Sequence, residues 1–146
     1  MSCWERLRCL NLYSLERRRE QYLISYVYKI VQKFVPNLTD ERFKIKTSLS
    51  VRGDRICKIP AINHRATARV RTLAEFSFAF QGPKLYNSLP PEVRNFDGSL
   101  DAFKHKLNKY LSTIPDQPCT PGYHQSVVSN SIIAQLSQMR AEGVFL

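Results

Sequence analysis

Glycine is scarce in this chain, with five residues in 146. None sits in a Gly-x4-Gly-Lys arrangement, so the sequence offers no P-loop to cradle a nucleotide triphosphate. Cysteine is sparse and scattered. Cys3/Cys9, Cys57/His64 and Cys119/His124 all miss the tight spacing of zinc ligands. We expect no metal site and four reduced thiols. Long apolar runs are missing too. The longest candidate, Tyr22 to Val35, is interrupted by Lys29, Gln32 and Lys33 and falls short of the ~20 apolar residues of a membrane span. The start, Met1-Ser2-Cys3-Trp4-Glu5-Arg6, lacks the apolar run and small-residue cleavage site of a signal peptide. We therefore expect an intracellular protein, nuclear or cytoplasmic, without secretion or a membrane partner. The Asn37-Leu38-Thr39 sequon should then stay unmodified. The close acidic pairs, Asp40-Glu41 and Asp97/Asp101, read as loop and helix-start residues, with no sign of carboxylates converging on two metals. His64, His105 and His124 lack a recognisable nucleophile partner, and no nucleophile elbow is present. We expect no catalytic residue, no cofactor and no small-molecule ligand.

Positive charge is abundant. The net charge is +10, and 43% of residues are hydrophobic, enough for a core. The charge is unevenly placed. Residues 1–35 carry seven Lys/Arg against three acids, and residues 36–75 carry nine against four. Residues 76–114 carry five against three, and residues 115–146 one against two. A basic N-terminal half favours a polyanionic partner, RNA or DNA held without sequence preference.

Residues 2–10 read as a short helix capped by Ser2, with Trp4, Leu7 and Leu10 on one face. Ser14 is a good N-cap for a long helix to about Val35. Leu15, Tyr22, Tyr26, Ile30 and Val31 form its apolar stripe, widened by Leu23, Val27 and Phe34, and Pro36-Asn37 ends it. Residues 43–60 read as a hairpin in which Phe43 and Ile45 alternate with Lys44 and Lys46. Its turn, Arg52-Gly53-Asp54, spells an integrin tripeptide but reads as a tight turn that uses glycine's freedom. Residues 61–74 read as a loop. The alternating aromatics of 75–81 predict a third strand, followed by a short helix over 83–88 that Pro83 opens and Leu89-Pro90-Pro91 ends. With Phe76, Phe78 and Phe80 on one face, Phe78 belongs to the core, and Phe145 to a loose tail. Ser99 caps a helix over 100–112 with Phe103, Leu107, Tyr110 and Leu111 inward. We divide the chain into a basic α+β domain at 1–114, a Pro-rich linker at 115–129 and a tail at 130–146 with a short helix over 130–142. The expected fold class is α+β: a long N-terminal helix and C-terminal helices packed on a small antiparallel sheet, with a mobile C-terminal tail.

Two basic clusters are candidate nucleic-acid contacts. The first is Arg6, Arg8, Arg17, Arg18, Arg19 and Lys29. Three successive arginines fan around most of a helix, and a guanidinium matches phosphate bidentately. The other reading is a solvated face paired locally with Glu16 and Glu20. The second cluster is Arg52, Arg55, Lys58, Arg65, Arg69 and Arg71. It could track a phosphate backbone or serve as ordinary surface. Aromatics placed for base stacking are not evident, so sequence-specific readout is not expected.

The ordered set of segments resembles a known family. Phe76-Ser77-Phe78-Ala79-Phe80-Gln81-Gly82-Pro83-Lys84-Leu85-Tyr86-Asn87-Ser88-Leu89-Pro90-Pro91-Glu92-Val93-Arg94 resembles a segment near the C-terminus of the reverse transcriptases of animal non-LTR (LINE-type) retrotransposons. Leu12-Tyr13-Ser14-Leu15-Glu16-Arg17-Arg18-Arg19-Glu20 is similar to the family's L-x-S-L-x-x-R-R helix start. Val70-Arg71-Thr72-Leu73, Phe103-Lys104-His105-Lys106-Leu107 and Leu111-Ser112-Thr113-Ile114-Pro115-Asp116-Gln117-Pro118 match in type and order. The resemblance covers roughly residues 4 to 135. The family's polymerase palm and endonuclease lie upstream of this region. The resemblance thus implies a non-catalytic C-terminal accessory segment of an RNA-directed DNA polymerase, with the upstream polymerase domain as a partner and template RNA or target DNA at its basic surface. The alternatives are a protein-interaction module and a non-functional remnant of a retroelement polyprotein.

Overall fold

A computed structural model describes residues 3–37, 44–63, 65–116 and 130–143. In chain order they form α1 (Cys3–Cys9), α2 (Leu15–Val31), β1 (Thr47–Leu49), β2 (Arg55–Cys57), α3 (Ala68–Glu75), α4 (Phe78–Ser88), α5 (Pro91–Arg94), α6 (Leu100–Leu111) and α7 (Ile132–Ala141). The class is α+β, with one two-stranded antiparallel sheet among the described residues. Contacts divide the chain into two compact units: Met1–Tyr22 with Asn108–Leu146, and Leu23–Leu107. Both boundaries fall inside helices, α2 and α6.

The helix ends follow from their caps. Ser14 Oγ accepts from the Arg17 N–H at 3.2 Å, and Ser99 Oγ from the Ala102 N–H at 3.2 Å, as expected of N-caps. Helix α2 stops earlier than Pro36-Asn37 would require. Lys33 takes a left-handed backbone at φ 60°, its N–H bonds to Ile30 O, and the Phe34 N–H bonds to Lys29 O. This is a Schellman ending, sealed by the edge-to-face contact of Phe34 with Tyr28 at 6.2 Å. Helix α1 ends in the same way, with Asn11 at φ 51°. Ser2, the expected cap of α1, lies outside the described residues.

In the second unit the hairpin forms with Thr47 opposite Cys57 and Leu49 opposite Arg55. It is shorter than expected, and the expected first residue, Phe43, lies outside the described residues. Gly53 supplies the turn at φ 81°. A two-stranded ribbon is marginal alone. Asparagine side chains complete its hydrogen bonding. Asn87 accepts from the Cys57 N–H and donates to Cys57 O, both at 2.8 Å. Asn95 accepts from the Arg55 N–H at 2.8 Å. Asn37 does the same service for Ile45, donating at 2.8 Å and accepting at 3.1 Å. The aromatic centre of this unit is Tyr28, whose ring lies parallel to Phe103 at 3.8 Å. The Tyr28 hydroxyl donates to Gly98 O at 2.7 Å and accepts from the Gly98 N–H at 3.1 Å.

Several sequence expectations are corrected here. The 75–81 strand is absent: Glu75 ends α3, Phe76 is exposed, and Phe78 opens α4. Residues 68–75 are likewise helical where a loop was expected. Five alternating residues fit both periods, and the longer pattern of Ala79, Gly82, Pro83 and Tyr86, all buried, is helical. Pro83 therefore sits inside the helix that it was expected to open. Gly82 is required by closeness: a Cβ there would lie 2.9 Å from Val27 Cγ2. The buried face of α2 is also rotated. Leu15, Tyr22 and Tyr26 are exposed, while Arg17, Ile24, Val27, Tyr28 and Ile30 are buried. Helix α7 is capped by Ser131 and buries Ile132, Leu136 and Met139, so residues 130–143 pack within the first unit. Most of the expected linker (117–129) and Phe145 lie outside the described residues.

Phe103→Ala should cost about 3–5 kcal/mol, because a fully buried ring stacked on Tyr28 is lost. Phe76→Ala should change stability little, since Phe76 is 76% exposed. Thermal melts of the two variants beside wild type test this; equal losses would contradict the helical placement of the 76–80 run.

Candidate nucleic-acid interface

The first unit is organised by three polar residues on α2 and its cap, spaced by three: Ser14, Arg17 and Glu20. Asp116 clasps Ser14, accepting from its N–H and its hydroxyl at 2.6 Å each. Arg17 is fully buried. Its guanidinium donates to Ile114 O at 3.4 Å, Pro115 O at 2.8 Å and Asn130 O at 3.1 Å. Glu20 accepts from the Ile132 N–H at 2.8 Å, at the start of α7. Burial pushes the Glu20 carboxyl up from the ordinary 4.5 to about 7, against the opposing pull of that N–H and of Arg17; Glu16 and Asp116 add to the rise.

The expected first cluster is thus broken up. Arg17 is a structural donor inside the protein, unavailable to phosphate; the triplet by itself carries no sign of the carbonyls that bury one of its members. Arg6, Arg8 and Arg19 are exposed, Arg18 is half-buried, and Lys29 belongs to the second unit, where it is half-buried. Arg18 borders an open cleft of about 760 Å³ in the first unit, shared with Arg8, Tyr13, Gln21, Asn108 and Ser112. Nothing in the sequence alone pointed to this grouping, because α1, α2 and α6 supply it from distant stretches.

In the second unit, Arg52, Lys58, Arg65, Arg69 and Arg71 are exposed. Arg52 rides the hairpin turn, and Arg69 and Arg71 ride α3. Arg55 differs from them. It pairs with Asp97 at 2.9 Å and also reaches Arg94 O at 3.4 Å, so its charge is largely spent within the unit. The Arg55 guanidinium, with Gln32, holds the exposed Asp97 carboxyl below the usual carboxylate range. Lys84 lies 5.7 Å over the Phe80 ring and Lys106 5.1 Å over Phe96, which absorbs two more cations into local contacts. His105 is exposed, and Cys57 is buried, its thiol pushed up to about 11 by burial. Among the described residues, no three His, Cys, Asp or Glu side chains converge in a way that could hold a metal ion. No helix among them is long and apolar enough to cross a membrane.

Compared with family models, curated proteins and solved structures, the chain matches none.

Glu20 sets a pH dependence. Its folded pKa lies above its unfolded one, so the folded state holds the proton more tightly. Its contribution is complete below about pH 4.5 and is lost as pH rises toward about 7. Glu20→Gln should remove that part of the slope and gain on wild type above pH 7. Urea melts of both proteins from pH 4 to 8 check it; parallel curves would show that folding leaves the Glu20 carboxyl unshifted.

Proposed function

We propose that this chain is a non-catalytic, sequence-tolerant nucleic-acid-binding segment, of the kind found at the C-terminal side of a non-LTR retrotransposon polymerase. The observation that carries this reading is the exposure of Arg52, Lys58, Arg65, Arg69 and Arg71 in the second unit. None of these side chains makes a salt bridge among the described contacts. They sit in the segment of highest charge, 36–75. Phosphates are their natural partner, since a guanidinium offers a planar fork that fits phosphate oxygens. The resemblance of the ordered motifs supplies the polymerase context: template RNA or target DNA as ligand and the upstream polymerase as neighbour.

A second reading, a protein-interaction module, has an observation of its own. Helix α3 buries none of its residues, and Val70, Leu73 and Phe76 are 53%, 66% and 76% exposed at three-residue spacing. Such a stripe is the form taken by a helix that packs on a partner. Its flanking arginines, Arg69 and Arg71, are nonetheless the same residues that favour an anionic ligand.

Binding of a labelled single-stranded RNA should weaken with salt at a log–log slope of about −0.7 per phosphate contacted. Replacing Arg52, Arg65, Arg69 and Arg71 by Ala should weaken binding and flatten the slope by up to about three. The expected order of effects places Arg17→Ala elsewhere, in stability. No binding at ~50 mM salt, where electrostatic contacts are strongest, would sink the reading. Primer extension with template, dNTPs and Mg²⁺ should give no product, since among the described residues no three His, Cys, Asp or Glu side chains converge to hold a metal. Extension abolished by a point change in this chain would reverse the non-catalytic assignment.

A further inference from the structure

The first unit's cleft has a chemistry that plain phosphate tracking does not use. Its volume of about 760 Å³ falls in the range of small-molecule sites, about 300–1,000 Å³. Arg18 lines it, and the Arg18 Nε is buried without a hydrogen-bond partner among the described residues. Burial closes the Nε itself to a ligand, but the terminal N–H groups of the Arg18 guanidinium are left unbonded by the described residues and suit an anion in the cleft. Arg8 brings a second guanidinium to the same wall. The one acid on that wall, Asp116, already accepts twice from Ser14. The cleft therefore favours an anion.

Other wall residues suit a flat polar ring. Tyr13 offers an aromatic surface on which a base can stack. Gln21 donates through Nε2 to Asn108 Oδ1 at 2.6 Å. With the amides so oriented, Gln21 Oε1 and a proton of Asn108 Nδ2 stay available, an acceptor beside a donor. That pair complements the edge of a nucleobase, which presents donors and acceptors side by side.

We propose that this cleft holds one nucleoside monophosphate unit, with its phosphate on Arg18 and Arg8 and its base against Tyr13, edge toward Gln21 and Asn108. The inference deepens the nucleic-acid reading if the unit belongs to a strand; a free nucleotide carries the same chemistry. It adds base contact, which the exposed arginines of the second unit do not provide, and it reverses the expectation that no small-molecule ligand fits.

The full chain is titrated with adenosine 5′-monophosphate, with inorganic phosphate and with a labelled 20-nucleotide RNA. Adenosine monophosphate should bind at least about tenfold tighter than phosphate, the equivalent of one good added contact. Arg18→Met should weaken it by a similar factor, and Arg71→Ala should leave it unchanged. Ser112→Glu guards against a folding artefact: Ser112 is exposed, so a carboxylate there should repel the phosphate without lowering the melting temperature. If Ser112→Glu weakens both the monophosphate and the RNA, the cleft holds a nucleotide of a strand. If it weakens the monophosphate alone, or if wild type binds the monophosphate but no RNA, the cleft stands as a free-nucleotide site; the last result also removes the nucleic-acid function. Phosphate binding as tight as the monophosphate, or RNA binding with no monophosphate binding and no effect of either cleft variant, overturns the proposal while leaving the general reading intact.

Discussion

The first unit depends on a buried guanidinium. Arg17 would be an expensive residue to enclose unless its protons found acceptors; its two terminal nitrogens find three main-chain carbonyls from two distant stretches, while its Nε finds none among the described residues. Those carbonyls come from the turn after α6 and from the residues just before α7. Carbonyls past a helix C-terminus are short of donors, so Arg17 and the α6 end satisfy each other. Ser14 and Glu20, one position before and after it in a three-residue rhythm, fasten the same two stretches through Asp116 and Ile132. One side of the first turns of α2 is thus a polar seam in place of an apolar stripe. Chain segments roughly a hundred residues apart are held by it.

The second unit solves a similar problem with amides. A sheet of two three-residue strands cannot satisfy its own outer edges. Asn37, Asn87 and Asn95 stand in for the missing strand, each meeting a main-chain group with a geometry that a neighbouring peptide would use. Because Asn87 and Asn95 sit on α4 and just past α5, the sheet is registered against those helices by hydrogen bonds as well as by the packing of Cys57. The Tyr28–Phe103 stack, with the Tyr28 hydroxyl bonded twice to Gly98, supplies the apolar centre and its polar handle.

Much of this was legible in residue order. Ser14 and Ser99 announce their helices, Gly53 its hairpin, and the periodicity of 100–111 its buried Phe103, Leu107 and Leu111. The misreadings have physical causes. Phe76, Phe78 and Phe80 alternate for too short a run to separate period 2 from period 3.6, and Gly82-Pro83 has the composition of a boundary. In the structure Gly82 is needed where α4 crosses close to Val27, and Pro83 is tolerated as a buried member of the helix face. Arg17 could not be read because its burial depends on carbonyls a hundred residues away. The same holds for the cleft, whose walls assemble from α1, α2 and the end of α6.

Arg17 and Arg55 also change how the charge of the chain should be counted. A net +10 treats every Lys and Arg as an equal contribution to an external field. Arg17 is committed to carbonyls, Arg55 to Asp97, and Lys84 and Lys106 lie over aromatic rings. What remains for a ligand differs between the units. The second offers exposed cations on a hairpin turn and a short helix, suited to phosphates along a strand with no reading of bases. The first offers fewer cations, but one of them, Arg18, has a guanidinium left unbonded by the described residues, in a cleft with an aromatic ring and an amide pair. Exposed cations give affinity that salt erodes, whereas a half-buried guanidinium in a walled cleft is screened less. The two surfaces therefore differ in kind, and under the proposed function the salt dependence of binding would separate them.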